Sequence, residues 1–372
     1  MNMKVVNEME YLGIKIALRR LVYSHFNHLI EKAASKLNLW GSKFLSIVGK
    51  ITLLNSALLS LPIFVSTHSL VPVKILDDME KMCRSFVWSK RDGNFGIHYV
   101  AWEFMCKPKE KRGYGVHSIG KRVGPLRSKF TLNFINNPGT LLNQSLTSKY
   151  GCDLWRDGRN RLCSSTWKIL MHGASFLHPI MRWSLSDGSK LDTFKDIWIL
   201  DRSIDRWPTF VSDFIPEYSC LSTFIANGSW NEDRLKLCFG QNLVELISSF
   251  PIQPDMEGDQ LELLYKCSGK SVAALAMDIS FKNTLDDINL RWRKRLKLRP
   301  GIDFFWWRLP IRAIPTSGFL KYRNLLDVEG CPRGCGDAED EEHVAVKCKK
   351  LRQVVDRLVS WGFNIPLCES FD

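Results

Sequence analysis

The chain has 372 residues, 45% of them apolar and 24% charged, enough for a sizeable buried core and outside the composition of disordered chains. Its net charge of +13 is unevenly placed: residues 1–150 hold 22 Lys and Arg against 9 Asp and Glu, whereas 151–372 hold 30 of each. An extended basic surface on the first part points to a phosphate backbone as partner, RNA or DNA, with a plain solubilising role as the alternative. The N-terminus carries acidic residues and no long apolar run, so no secretion signal is legible, and no stretch is expected to reach the roughly eighteen apolar residues of a membrane span. Of eleven cysteines, eight show no short regular spacing, which suits free thiols in a reducing, intracellular compartment and a protein that is not secreted.

In chain order, EMEYLGIKIAL (8–18) alternates as a short strand broken at Gly13. From Leu29 to Leu61 apolar residues recur at three or four, with Gly41 and Gly49 dividing the run into two helices and Pro62 ending it. Lys36, Lys43 and Lys50 recur at seven on another face, a stripe that either meets phosphate or is merely solvated. VPVKILDDMEKMCRSFVW (71–88) predicts a helix with Pro72 near its start and Ile75, Met79, Met82 or Cys83, and Phe86 inward. Asp77-Asp78 there, and Asp286-Asp287 later, read as solvated helix acids. The stretch 106–130 is a basic loop, with Lys107, Lys109, Lys111 and Arg112 as candidate nucleic-acid contacts, leading to a helix around 121–135.

Residues 151–260 are rich in Trp, Asp, Gly and Pro. SDGS (186–189) predicts a hairpin turn between WSL and KLDTF, and Trp183 and Trp198 read as core anchors. Pro251, Pro254, Asp255 and Gly258 predict a linker. Residues 261–298 read as helical, and RWRKRLKLR, with Arg291, Arg293 and Arg295, is either a solvated helix end or a nucleic-acid face with the aromatics of FFWWRLP available for stacking.

CPRGCGDAEDEEHVAVKC (331–348) spaces Cys331, Cys335, His343 and Cys348 as Cys-x3-Cys-x7-His-x4-Cys. Two ligands on a tight turn facing two near a helix start suit tetrahedral zinc, and four protein ligands leave no open position, so the Zn2+ is expected to be structural. The acidic run from Asp337 to Glu342 is expected to be an exposed connector.

Several of these stretches together resemble a known family. YLGIKI, LNLWGSKFLSIVGKITLLNSALLSLPIF, the helix ending FVWS, KPKEKRGYGV, WSLSDGSKLDTFKDIWI, and FFWWRLPIRAIPTSGFLKYR with the cysteine cluster look like the C-terminal part of plant non-LTR retrotransposon reverse transcriptases. The likeness covers most of residues 10–350. It implies a mainly α fold with short β hairpins, divided into the end of a palm (1–24), a basic helical thumb and connection (25–150), a Trp-rich middle region (151–260) and a reverse-transcriptase zinc-binding domain (261–372). It implies RNA-directed DNA polymerase as the family activity. The family's magnesium-binding aspartates would precede the Tyr11 stretch, so no catalytic residue and no Mg2+ is expected on these residues. Three readings follow: a nucleic-acid-binding remnant, a polymerase fragment needing upstream sequence, and an interaction or non-functional relic.

Overall fold

The computed structural model describes residues 7–40, 45–90, 96–151, 154–155, 163–200, 203–206, 220–256, 258–264, 268–281, 296 and 298–365. The fold is mainly α with short antiparallel strand pairs. In chain order the strands are β1 (Glu8–Tyr11), β2 (Ile14–Ala17), β3 (Met181–Ser184), β4 (Ile225–Ala226), β5 (Ser229–Trp230) and β6 (Gln260–Leu263). The helices are α1 (Asn27–Trp40), α2 (Ile47–Leu53), α3 (Ser60–His68), α4 (Val73–Trp88), α5 (Trp102–Met105), α6 (Ile119–Asn136), α7 (Leu141–Tyr150) and α8 (Ser165–Leu177). They continue as α9 (Glu232–Cys238), α10 (Gln241–Ser248), α11 (Val272–Ser280), α12 (Pro300–Arg308), α13 (Ser317–Tyr322) and α14 (Lys349–Ser360). The chain divides into two compact units, one of residues 1–26, 61–76 and 119–283, the other of 27–60, 77–118 and 284–372.

In the first unit, β1 and β2 form a hairpin rather than one strand. Leu12 (φ 51°) and Gly13 (φ 78°) are both left-handed, the backbone of a two-residue turn whose twist matches the paired strands. Helices α6 and α8 approach closely through reciprocal glycines. A Cβ on Gly173 would lie 2.6 Å from the Arg127 carbonyl oxygen, and one on Gly124 would lie 2.2 Å from the Phe176 ring. The buried Arg127 guanidinium donates to the carbonyls of Ser66, Thr67 and Ser69, the open C-terminal end of α3, and contacts His172 Nδ1 at 3.2 Å.

SDGS is a turn, with Gly188 at φ 67°, but its flanks do not pair with each other. Strand β3 pairs instead with β6, from Met181↔Leu263 to Ser184↔Gln260. The residues expected to be a linker pack into the unit: Gln253 N–H donates to the Leu185 carbonyl at 2.9 Å, and the Ser186 hydroxyl donates to the Met256 carbonyl at 3.0 Å. Asp259 holds the turn closed. Its buried carboxylate accepts the backbone N–H groups of Ser186 (2.9 Å), Gly188 (3.0 Å) and Lys190 (3.3 Å). Trp198 is fully buried, stacked on Trp230 at 5.5 Å with Trp183 packed on the same core, in keeping with their expected anchoring role.

In the second unit α1 ends at Trp40, and the break expected at Gly41 lies outside the described residues. Gly49 does not interrupt a helix; it sits inside α2, where Ser46 Oγ accepts its N–H as an N-cap. A π turn, Leu54–Leu58, follows, and Pro62 stands in the first turn of α3 rather than ending the helix, because a proline there gives up no helical hydrogen bond. By length and composition, Ile47–His68, 22 residues, is long and apolar enough to cross a membrane, which corrects the expectation that no stretch is. Leu54, Leu58, Leu59, Ile63 and Val65 along it are buried. Helix α4 buries Ile75, Met79, Cys83 and Phe86, with Cys83 rather than Met82 inward. Asn55 on the π turn fixes the basic loop, donating to the Gly115 carbonyl (3.0 Å) and accepting the His117 N–H (2.8 Å).

Candidate metal centre

The centre is built by two local devices. The first is the turn Cys331–Gly336: Cys331 N–H donates to the Asp337 carbonyl (2.9 Å) and Gly334 N–H to the Cys331 carbonyl (3.0 Å). Gly334 (φ 75°) and Gly336 (φ 84°) are both left-handed, which lets the chain fold Cys335 back toward Cys331. The second is a π turn, His343–Lys347. In an α-helix residues five apart point about 140° away from each other. The π turn, closed by Cys348 N–H on the His343 carbonyl at 3.0 Å, brings His343 and Cys348 to one side instead. Asp340 starts that turn by accepting the His343 N–H at 2.6 Å.

The ligand atoms of Cys331, Cys335, His343 and Cys348 all lie within 4.8 Å of one another. Cys335 Sγ is 3.1 Å from His343 Nε2, and Cys331 Sγ is 4.0 Å from Cys348 Sγ. Bonds of about 2.3 Å to sulfur and about 2.0 Å to nitrogen would give tetrahedral edges of similar length. Cys331, His343 and Cys348 are buried and Cys335 half-buried. Burial pushes the Cys348 thiol up, but the backbone N–H groups of Leu351 and Lys350 at the start of α14 and the Arg333 guanidinium outweigh it and bring it to about 6. Burial, together with Cys331 and Cys348 alongside, pushes the Cys335 thiol up, opposed by the Asp337 N–H. Three sulfurs, one already inclined to ionise, and one imidazole nitrogen fit a tetrahedral metal such as zinc, with every coordination position filled by protein.

Two residues that sequence reasoning treated as exposed acid support this centre. Glu339 is buried, and its carboxylate accepts the Ser317 N–H (2.8 Å) and hydroxyl (2.9 Å) at the start of α13. Asp340 accepts the His343 N–H where the chain enters the π turn. An Asp three residues before a candidate ligand was the available signal for the second; nothing local marks the first.

The expected nucleic-acid contacts are placed unevenly. Lys36 is exposed, its Nζ donating to the Ala57 carbonyl at 3.2 Å. Lys50 is a correction: it is 2% exposed, donating to the Ser89 carbonyl (2.7 Å) and hydroxyl (2.8 Å) at the end of α4, so it does not continue an outward stripe. Burial lowers its pKa. Lys107 lies over Phe104 and Lys109 over Tyr114, with Lys109 and Arg112 exposed and Lys107 and Lys111 half-buried. Arg112 is left-handed (φ 62°), and its carbonyl accepts the Trp307 indole N–H at 2.8 Å. Phe304 and Trp307 are buried against Tyr114, so of FFWWRLP these two rings form core rather than a stacking surface. Asp77 is exposed and Asp78 pairs with Lys81 at 3.3 Å, as expected of solvated helix acids. Lys43, Arg291, Arg293, Arg295 and the Asp286-Asp287 pair lie outside the described residues.

No protein-family model matches the chain. It is similar to the Arabidopsis thaliana protein named "Putative ribonuclease H protein At1g65750", 27% identical over 360 residues, 89% of this chain and 55% of that protein. It is also similar to the Arabidopsis thaliana "Uncharacterized mitochondrial protein AtMg00310", 25% identical over 148 residues, 39% of this chain and 96% of that one. The chain thus spans about half the length of the first relative and has plant proteins, one of them named for ribonuclease H, as its relatives.

Proposed function

We propose that this chain is a nucleic-acid-binding segment of a plant retroelement protein, of the non-LTR reverse-transcriptase kind, stabilised by a structural zinc and without polymerase chemistry of its own. The observation that carries it is the convergence of Cys331, Cys335, His343 and Cys348 to within 4.8 Å in a chain with a strong basic excess in residues 1–150. The name of the ribonuclease H relative ties that protein to nucleic acid, which supports the same direction. The finer division into palm end, thumb and connection, middle region and zinc-binding domain, and a nuclear or cytoplasmic setting, belong to this proposal through the sequence resemblance. Filter binding of single-stranded RNA and DNA at two salt concentrations tests it. Affinity should fall steeply with salt, because released counterions drive the association. Absent or salt-insensitive binding rejects the proposal. Because the chain covers 55% of its first relative, a second reading is a polymerase fragment that works only with further sequence. Primer extension with magnesium separates the two: no incorporation is expected from this chain, and extension would establish the second reading.

A further inference from the structure

Arg84 Nε, Trp88 Nε1 and Arg308 Nε are buried donors with no hydrogen-bond partner among the described residues, and all three belong to the second unit. Arg84 and Trp88 lie one turn apart on α4. The Trp88 ring, 4% exposed, is 6.2 Å from His98 and 5.6 Å from Tyr99, and Arg308 Cζ is 5.7 Å from the same Tyr99 ring. Gly96 permits this: a Cβ there would fall 1.7 Å from the Trp88 carbonyl oxygen, so a side chain would push the 96–99 segment away. The cluster's described charged side chains, Arg84, Arg308 and Arg323, are all cationic. Burial, then Arg84 and Arg323, hold His98 below the usual histidine range, the mark of a positive field around it. Among the described residues no carboxylate pairs with Arg84, Arg308 or Arg323. Glu80, one turn before Arg84, is held by Trp102 Nε1 (3.2 Å) and Ser118 Oγ (3.1 Å).

Buried N–H donors without acceptors are costly, and guanidiniums without a counter-charge more so. A group that offers oxygens on more than two sides and at least one negative charge answers both, which favours a tetrahedral oxyanion over a planar carboxylate. We infer that Arg84, Trp88, Arg308 and Arg323, around His98, form a binding site for a phosphate group. Its source is either a phosphodiester of a nucleic-acid strand, in which case the inference deepens the proposed function, or free orthophosphate.

The test uses the full metal-loaded chain labelled with 15N-tryptophan and titrated with inorganic phosphate. The Trp88 indole signal, assigned through Trp88→Phe, should shift saturably. Arg84→Gln should weaken the response by about tenfold or more, as loss of a charged hydrogen bond predicts. Arg323 is exposed, so Arg323→Gln serves as a second variant that need not disturb folding, and it should weaken the response in the same direction. A Trp88 signal unmoved by millimolar phosphate, or a response equal in both variants and the parent, overturns the inference. An oligonucleotide arm assigns the source: weaker binding to Arg323→Gln indicates strand phosphate, and unchanged binding indicates orthophosphate, the site standing in either case. If no oligonucleotide binds at all, the nucleic-acid proposal fails while the phosphate titration still decides this site.

Discussion

Asp259 takes three backbone N–H donors from a turn some seventy residues before it, and it does so while 6% exposed. Asp259→Ala would leave those donors buried and unpaired, so unfolding in urea should show a loss of about 3 kcal/mol. Asp259→Asn, which keeps one carbonyl oxygen, should lose less. His172 gives the chain a pH dependence of definite sign. Its Nδ1 lies 3.2 Å from the Arg127 guanidinium, and burial and that cation lower its pKa. The unfolded chain therefore binds the proton more readily: the penalty is full below the folded pKa and vanishes above the ordinary histidine value. Thermal stability should rise as pH rises toward neutrality, and His172→Gln should flatten that rise. A profile that His172→Gln leaves unaltered would assign the dependence to other groups.

The α6–α8 pair shows what spacing at the element level depends on. Gly173 sits where a methyl group would meet Thr131 Oγ1 at 2.3 Å and the Arg127 carbonyl oxygen at 2.6 Å, and backbone cannot swing aside as a side chain can. Gly173→Ala should cost about 2 kcal/mol in a thermal or denaturant melt by forcing the helices apart. Gly120 on the same α6 has nothing within 4 Å of its would-be Cβ, so Gly120→Ala should gain about half a kcal/mol from helix propensity alone. The contrast separates packing from propensity within one helix. Elements whose signal is local were legible in the sequence: α4 with its inward Ile75, Met79, Cys83 and Phe86, the Trp198 core, and the convergence of Cys331, Cys335, His343 and Cys348. Elements set by distant partners were not. SDGS looked like a hairpin because the turn chemistry is local, but the partner strand β6 lies about seventy residues on. Lys50 looked outward because the seven-residue repeat was projected on a straight α-helix, whereas its ammonium is drawn to the carbonyl end of α4. The expected exposed acidic connector fails at Glu339 for the same reason, since its partner Ser317 lies 22 residues earlier.

At the scale of the molecule, the candidate metal module has little apolar core of its own: α14 contains no fully buried residue, while two of the buried side chains around it are the converging Cys331 and Cys348. Metal binding should therefore supply much of the module's stability. Purified protein should contain about one zinc per chain, and Cys331→Ala or His343→Ala should lose it. Chelation should lower the melting temperature of the parent and leave that of the metal-free variants unmoved. A folded, metal-free parent with the same melting temperature would contradict this.

The second unit gathers residues 27–60, 77–118 and 284–372. On the ribosome its earliest helices emerge long before the segment that completes their core. Until residue 300 and beyond has been synthesised, Tyr114 has neither Phe304 nor Trp307 to pack against. For most of translation these helices are an unfinished surface, and a nascent chain arrested near residue 283 should engage chaperones far more than the released one.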